Sequence, residues 1–162
     1  MVVSGRMLVL DQTVTDSFTD WVRDAEPRLR QALSAAYGSE LGREATADAL
    51  AYSWEHWDRV SGKANPLGYV YGVGRKKAHR MSLRRRPVFF DVLPQRLPEV
   101  EPLLPGAVAG LSEKQRIVVM LVYCFEWSLS EVAELLGVEK PTVQKHAERG
   151  LSRLRKTLGV EI

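Results

Sequence analysis

Residues 128–158 read SLSEVAELLGVEKPTVQKHAERGLSRLRKTL, and the order of start and stop signals within them decides the fold. Ser128 and Glu131 have the spacing of a capping box, in which a hydroxyl and a carboxylate each satisfy a backbone N–H at a helix start. Val132, Ala133, Leu135 and Leu136 follow as the apolar stripe of a short helix, and Gly137 stops it. After the turn Val138-Glu139-Lys140, Pro141 stands where a first-turn proline is tolerated. A last helix then carries Val143, Ala147, Gly150, Leu151, Leu154 and Leu158 on one face. Two helices joined by so short a turn predict a helix-turn-helix.

Burying Val143, Ala147, Leu151 and Leu154 turns Thr142, Lys145, Glu148 and Arg149 outward, with Gln144 on the flank and Lys140 at the turn. Gln and Lys suit adenine and guanine edges, and Thr suits a phosphate or a thymine methyl. Lys140, Thr142, Gln144, Lys145 and Arg149 are therefore the candidate DNA-reading set. On an ordinary three-helix bundle the same face would simply be solvated; the capped turn favours reading. Upstream, Ser112 and Gln115 form a second capping box ahead of the apolar run Ile117 to Phe125.

Five prolines, Pro87, Pro94, Pro98, Pro102 and Pro105, crowd the stretch before this unit. Each removes a backbone donor and restricts its predecessor to extended geometry, so residues 87–109 read as a helix-free linker between domains at 15–86 and 110–162. Residues 1–14 read as a flexible tail. In the first domain Phe18, Trp21, Val22, Ala25, Leu29, Leu33, Ala36 and Tyr37 recur at helical spacing, with Pro27 the place for a kink and Gly38 a stop. A second helix is expected from Glu44 to Val60, and a third from Pro66 into the block RKKAHRMSLRRR at 75–86. No segment alternates as a strand does, so the fold class is all-α: two small helical domains and a proline-rich linker.

Charge is distributed unevenly. The chain is +3 overall, yet residues 75–86 hold seven cations and no acid, whereas residues 1–74 hold seven cations against ten acids. A basic block inside a helix calls for a polyanion. Arg75, Lys76, His79 and Arg80 fall along one side of it, and seven neutralised phosphates would give a log–log salt slope of about −6 on duplex DNA. Of the neighbouring aromatics Trp54, Trp57, Tyr69 and Tyr71, most belong in a core; Tyr69 and Tyr71 are the better candidates for an exposed stacking platform.

Other chemistry is poorly represented. The lone Cys124 excludes an internal disulfide and reads as a small buried thiol. GYVYGVGR lacks the Lys-Ser/Thr of a phosphate loop, so helix packing explains Gly68, Gly72 and Gly74 better. His56, His79 and His146 are scattered, giving no metal spacing, and no cofactor is expected. Glu44, Asp48 and Glu55 line one helix without a partner base. No nucleophile constellation stands out, so an enzyme is the least expected class. No run approaches a membrane span, and the opening MVVSGRMLVL is too short in apolar length for a secretory signal, which leaves the cytoplasm as the expected compartment.

LSEKQRIVVMLVYCFEWSLSEVAELLGVEKPTVQKHAERGLSRLRKTL resembles region four of sigma factors of the sigma-70 superfamily, specifically the compact extracytoplasmic-function group. ADALAYSWEHWDRV followed by NPLGYVYGVGRKKAHRMSLRRR is similar to the family's region two. The resemblance implies a sigma factor that directs RNA polymerase core to promoter DNA, region two docking on a polymerase coiled coil and melting the minus-ten element, region four reading the minus-thirty-five element. It implies that the loop Ser61 to Pro66, with Lys63 and Asn65, holds an extruded base supported by Tyr69. Arg75, Lys76, His79 and Arg80 would follow the non-template strand. The linker, with Asp91, Glu99 and Glu101, would thread toward the polymerase cleft, and an anti-sigma factor is an expected further partner. Asp48, Ala51, Tyr52 and Glu55 would face polymerase. Where the family shows a Glu-Asp pair and then a glutamine, this chain has Thr46-Ala47-Asp48-Ala49-Leu50-Ala51-Tyr52. That departure keeps two other readings open: a sigma-derived regulator that binds DNA without productive polymerase docking, and an interaction module acting as an anti-sigma decoy.

Overall fold

The apolar repeat that begins at Phe18 lies on the longest helix, α1 (Val3–Tyr37), about 52 Å at 1.5 Å per residue. The computed structural model describes residues 3–89 and 103–160, with side chains from residue 12 onward, and every regular element among these residues is helical. The expected flexible tail at 1–14 is thus helical from Val3. Met7, Leu8, Leu10 and Gln12 are good helix formers, and no proline interrupts them until Pro27, which α1 passes without a break.

Gly38 turns the chain at φ 89°, a conformation open to glycine, and a Cβ there would run into the carbonyl oxygen of Val88. α2 (Ser39–Glu55) follows, starting earlier than expected. It ends at His56, whose φ of −120° and ψ of 30° leave helical geometry and separate it from the short α3 (Trp57–Ser61). α4 (Pro66–Ser82) begins with Pro66 in its first turn and Asn65 as N-cap, the side-chain oxygen accepting from the Gly68 N–H at 3.0 Å. It stops at Ser82, so Arg84, Arg85 and Arg86 lie beyond the helix that was expected to carry them. Leu29, Leu33 and Ala36 of α1, Ala45 and Ala49 of α2, and Val70 and Ala78 of α4 are fully buried where the three helices pack.

The C-terminal unit starts within the expected linker, because α5 (Leu104–Ala109) is a helix with Pro105 in its first turn, where the missing N–H costs nothing. α6 (Glu113–Val119) opens on the Ser112–Gln115 capping box and passes into one π-helical stretch, Met120–Cys124. Cys124 is half-buried there, and its burial pushes the thiol pKa up. α7 (Leu129–Leu136) and α8 (Lys140–Leu158) complete the fold. Pro94, Pro98, Pro102, Asp91, Glu99 and Glu101 lie outside the described residues. The two helical units do not stand apart: α1 packs on α6 and the π-helical stretch, α4 packs on α7, and one apolar core runs through both.

Leu33 touches Gly74 across the α1–α4 contact and has no solvent exposure. Leu33→Ala is expected to cost about 2–5 kcal/mol, since the cavity cannot be closed by helices already in contact. Denaturant unfolding of wild type and variant measures the difference.

Candidate nucleic-acid interface

The helix-turn-helix is built as its sequence specifies. Ser128 Oγ accepts from the Glu131 N–H at 3.1 Å, and Glu131 Oε1 accepts from the Ser128 N–H at 3.2 Å. Gly137 closes α7 in the left-handed region. Val143, Ala147, Gly150 and Leu154 are buried, which leaves Lys140, Thr142, Gln144, Lys145 and Arg149 on the exposed side of α8. Gln144 Nε2 reaches Glu148 Oε1 at 3.5 Å, and among the described residues no ion pair holds Lys140, Lys145 or Arg149.

The second candidate surface is divided by its own contacts. Lys76, His79 and Arg80 are exposed on α4. Arg75 is not free: its guanidinium donates to both carboxylate oxygens of Glu113 at 2.6 and 3.4 Å. Lys63 is exposed, its ammonium 4.7 Å above the Tyr69 ring, while the Tyr69 hydroxyl lies 3.0 Å from that of Tyr52. Asn65 Nδ2 donates to the Glu134 carbonyl at 2.6 Å. Arg85 is held by Glu40 and Glu44, so it offers less free charge than Arg84 and Arg86, which are exposed.

The aromatic assignment needs correcting. Tyr71 is buried at 4% exposure, because position 71 points with Gly74 and Ala78 into the core; Trp54 instead is 48% exposed. Phe18 of α1 packs 5.0 Å from the Trp54 ring and 5.3 Å from that of Trp57, which is buried. On α2, Asp48, Ala51 and Glu55 are exposed, with Asp48 3.7 Å from the Lys77 ammonium, whereas Tyr52 is half-buried against His56 and Tyr69.

A seam between the two units was not legible in the sequence. Tyr37 donates to Glu113 at 2.8 Å, Trp127 Nε1 donates to Gln31 at 2.8 Å, and Arg28 pairs with Glu131 while lying 5.0 Å over the Trp127 ring. Arg116 Nε donates to the Ala36 carbonyl at 3.0 Å, and Nη1 to those of Ala109 and Leu111 at 3.2 Å. Beside the seam is a cavity of about 380 Å³ reached by Gly72, Leu136, Thr142 and His146. Burial, with Lys114 and Arg149 nearby, holds the His146 pKa below the ordinary imidazole range. Among the described residues no group of His, Cys, Asp and Glu is placed to hold a metal, and no helix is long and apolar enough to cross a membrane.

Residues 103–154, spanning α5 to the greater part of α8, match the family model described as Sigma-70, region 4. This segment is similar to region 4 of the sigma-70 family. The match takes in α5, α6, α7, the turn and α8 as far as Leu154. The chain also superposes on a solved structure described as the sigma factor RpoE in complex with the anti-sigma factor NepR from Bartonella quintana. The TM-score is 0.62 and the identity 18%, over 90% of this chain and 99% of that one. The fold is that of a sigma factor from α1 through region 4. No curated protein matches the chain.

Glu113 is where the seam can be titrated. Burial pushes its carboxyl up, but bonds from Arg75 and Tyr37 outweigh burial and hold its pKa below the ordinary carboxylate range. A depressed pKa contributes stability above the unfolded value that is lost as pH falls through the folded one. Glu113→Gln is expected to be less stable than wild type at neutral pH, by on the order of 1 kcal/mol for this half-exposed pair, with the difference vanishing in acid. Urea unfolding at several pH values tests this.

Proposed function

We propose that the protein is a dissociable initiation subunit of RNA polymerase, of the extracytoplasmic-function group, that performs no covalent chemistry and confers promoter specificity on the core enzyme. The observation that carries this reading is a region 4 with a cationic, solvent-facing recognition helix on a chain with the whole fold of a sigma factor. Region 4 reads the upstream element through Lys140, Thr142, Gln144, Lys145 and Arg149. Residues 15–86 act as region 2: Lys63, Asn65 and Tyr69 hold an extruded base, and Arg75, Lys76, His79 and Arg80 follow the unpaired strand. Core polymerase docks on α2 through Asp48, Ala51 and Glu55, with Tyr52 supporting that face from within. The fold match to a sigma factor bound to an anti-sigma factor supports a protein inhibitor of that kind as a further partner.

Run-off transcription with purified core polymerase and a candidate promoter tests the proposal. A specific transcript is expected. Specific duplex binding without a transcript would favour the sigma-derived regulator, a reading motivated by the stretch Thr46-Ala47-Asp48-Ala49-Leu50-Ala51-Tyr52, which keeps at best the aspartate of the family's Glu-Asp pair and following glutamine.

Gln144→Ala and Lys145→Ala should each weaken binding to the cognate upstream duplex by about 1–3 kcal/mol, with discrimination falling alongside affinity. Equal losses on cognate and random duplexes would show that neither side chain reaches a base edge.

Asp48→Arg should abolish capture of core polymerase by the full-length protein and leave duplex binding intact, because it sets a cation on a face expected to meet a basic partner. Its exposed pair with Lys77 is worth at most about 1 kcal/mol, so the fold should survive. Pull-down of core polymerase gives the answer, and undiminished capture would remove Asp48 from the docking surface.

A further inference from the structure

Gly72 stands in the middle of α4, where glycine lowers helix propensity relative to alanine, and no packing contact requires it. Its flanking glycines are close-approach positions. An added Cβ would lie 3.0 Å from the Leu135 carbonyl oxygen at Gly68 and 2.7 Å from the Leu33 side chain at Gly74, yet would meet nothing within 4 Å at Gly72. The helix packing expected of all three glycines therefore holds for Gly68 and Gly74 only. At Gly72 the bare backbone lines the cavity of about 380 Å³ that lies between α4 and the helices α6 to α8.

The remaining lining is of two kinds. Ile117 and Leu135, both buried, join Leu136 and the more exposed Val138 as apolar surface. Lys114 of α6 and Thr142 and His146 of α8 are the polar side chains left over. Among the described residues no ion pair holds Lys114, and neither Thr142 nor His146 has a side-chain hydrogen bond. The charges do not cancel. Glu113 is the one carboxylate in the lining, and it is already taken by Arg75 and Tyr37. Burial disfavours the protonated His146 ring, and the positive charges of Lys114 and Arg149 disfavour it further, so an uncompensated cationic field reaches the cavity.

Unpaired cation beside apolar surface is complemented by an anion that carries an apolar body. Small-molecule sites begin at about 300 Å³ and combine apolar walls with a few placed polar groups. At about 30 Å³ per water this cavity has the space of about a dozen waters, room for on the order of ten non-hydrogen atoms. An inorganic anion would leave the apolar wall uncovered, and a neutral hydrocarbon would leave Lys114 unmatched.

We propose that the cavity is a binding site for a small organic anion, an aromatic or short aliphatic carboxylate. Its apolar body lies over Gly72 against Ile117, Leu135 and Leu136, and its carboxylate meets Lys114 and His146. The imidazole has an N–H to donate in either protonation state, and the Thr142 hydroxyl is a further donor. Arg75 stays with Glu113 and takes no part. The site stands independently of the role in transcription proposed above.

The probe for the test is 2-naphthoate, a carboxylate on a flat apolar body, titrated into the full-length chain at fixed pH and ionic strength. Ring signals of the three histidines are followed by NMR, with His56 and His79, which lie outside the cavity, as internal controls. A saturable one-to-one shift of the His146 signals is expected, with the other two unmoved. Neutral 2-naphthamide should bind about tenfold more weakly, the loss of one charge-assisted contact, and inorganic phosphate should leave His146 unshifted. Gly72→Leu, whose side chain has open space to enter, should fill the cavity and weaken naphthoate by about tenfold or more. Lys114→Ala, at an exposed position, should weaken it by about tenfold through charge alone. Three histidines shifting together without saturation would reveal a general charge effect and overturn the site. So would undiminished binding by Gly72→Leu, which would place the ligand elsewhere. Equal affinity for naphthamide, or full affinity in Lys114→Ala, would overturn the preference for an anion. Should circular dichroism show that Gly72→Leu does not fold, Lys114→Ala and the naphthamide comparison decide the matter by themselves.

Discussion

The guanidinium of Arg116 sits where four parts of the chain converge. It donates to the carbonyl of Ala36 near the end of α1, to those of Ala109 and Leu111 around the end of α5, and lies 4.5 Å over the ring of the buried Phe89. Carbonyls at the ends of helices have no intrahelical partner, and a planar five-donor cation is suited to collecting several of them. Burial pushes the Arg116 pKa down, but arginine starts so high that the charge persists. Glu113, one turn earlier on α6, accepts from Tyr37 and Arg75. A single short helix thus presents one cation and one anion to the same helical bundle, and the remaining cross-contacts follow from where these two side chains fix it.

How much of this could be read in advance follows the range of the interactions. Both capping boxes, the glycine stop at 137, the first-turn prolines at 66 and 141 and the stripe from Val143 to Leu154 were legible, because each is decided by neighbours within about four residues. The exposed set on α8 follows from that stripe and lies where it was expected. The seam was not legible, since Arg28 and Glu131 are 103 residues apart and nothing local marks either as a partner. The same limit explains the exchange of Tyr71 and Trp54: helical spacing puts both near an apolar face, and which one is covered depends on distant elements, Tyr71 lying beside Tyr37 of α1 and Glu113 of α6 while Trp54 stays about half exposed. The linker was over-read. Five prolines argue against helix on average, yet Pro105 occupies the one helical position where proline is harmless.

The two halves also differ in what holds their candidate surfaces ready. On α8 the outward side chains are mounted on a capped, amphipathic helix, so their direction is set by burial of the opposite side. On α4 several polar groups depend on partners: Asn65 both caps its own helix and reaches Glu134, and Tyr69 shares a hydroxyl contact with Tyr52. A recognition surface of the first kind is preorganised, whereas one of the second kind must exchange partners before it can bind.

Trp127 has a consequence of its own for observing the molecule. Trp21, Trp54 and Trp57 all pack in or beside the Phe18 cluster, while Trp127 stands alone at the seam with Gln31 on its indole N–H and Arg28 over its ring. Parting of the halves would hydrate that indole and remove the cation from its π face without disturbing the other three. The emission maximum and quenching of one native chromophore therefore report on the seam between α1 and the C-terminal unit, and with the cluster tryptophans replaced by phenylalanine the protein would carry its own label-free optical probe.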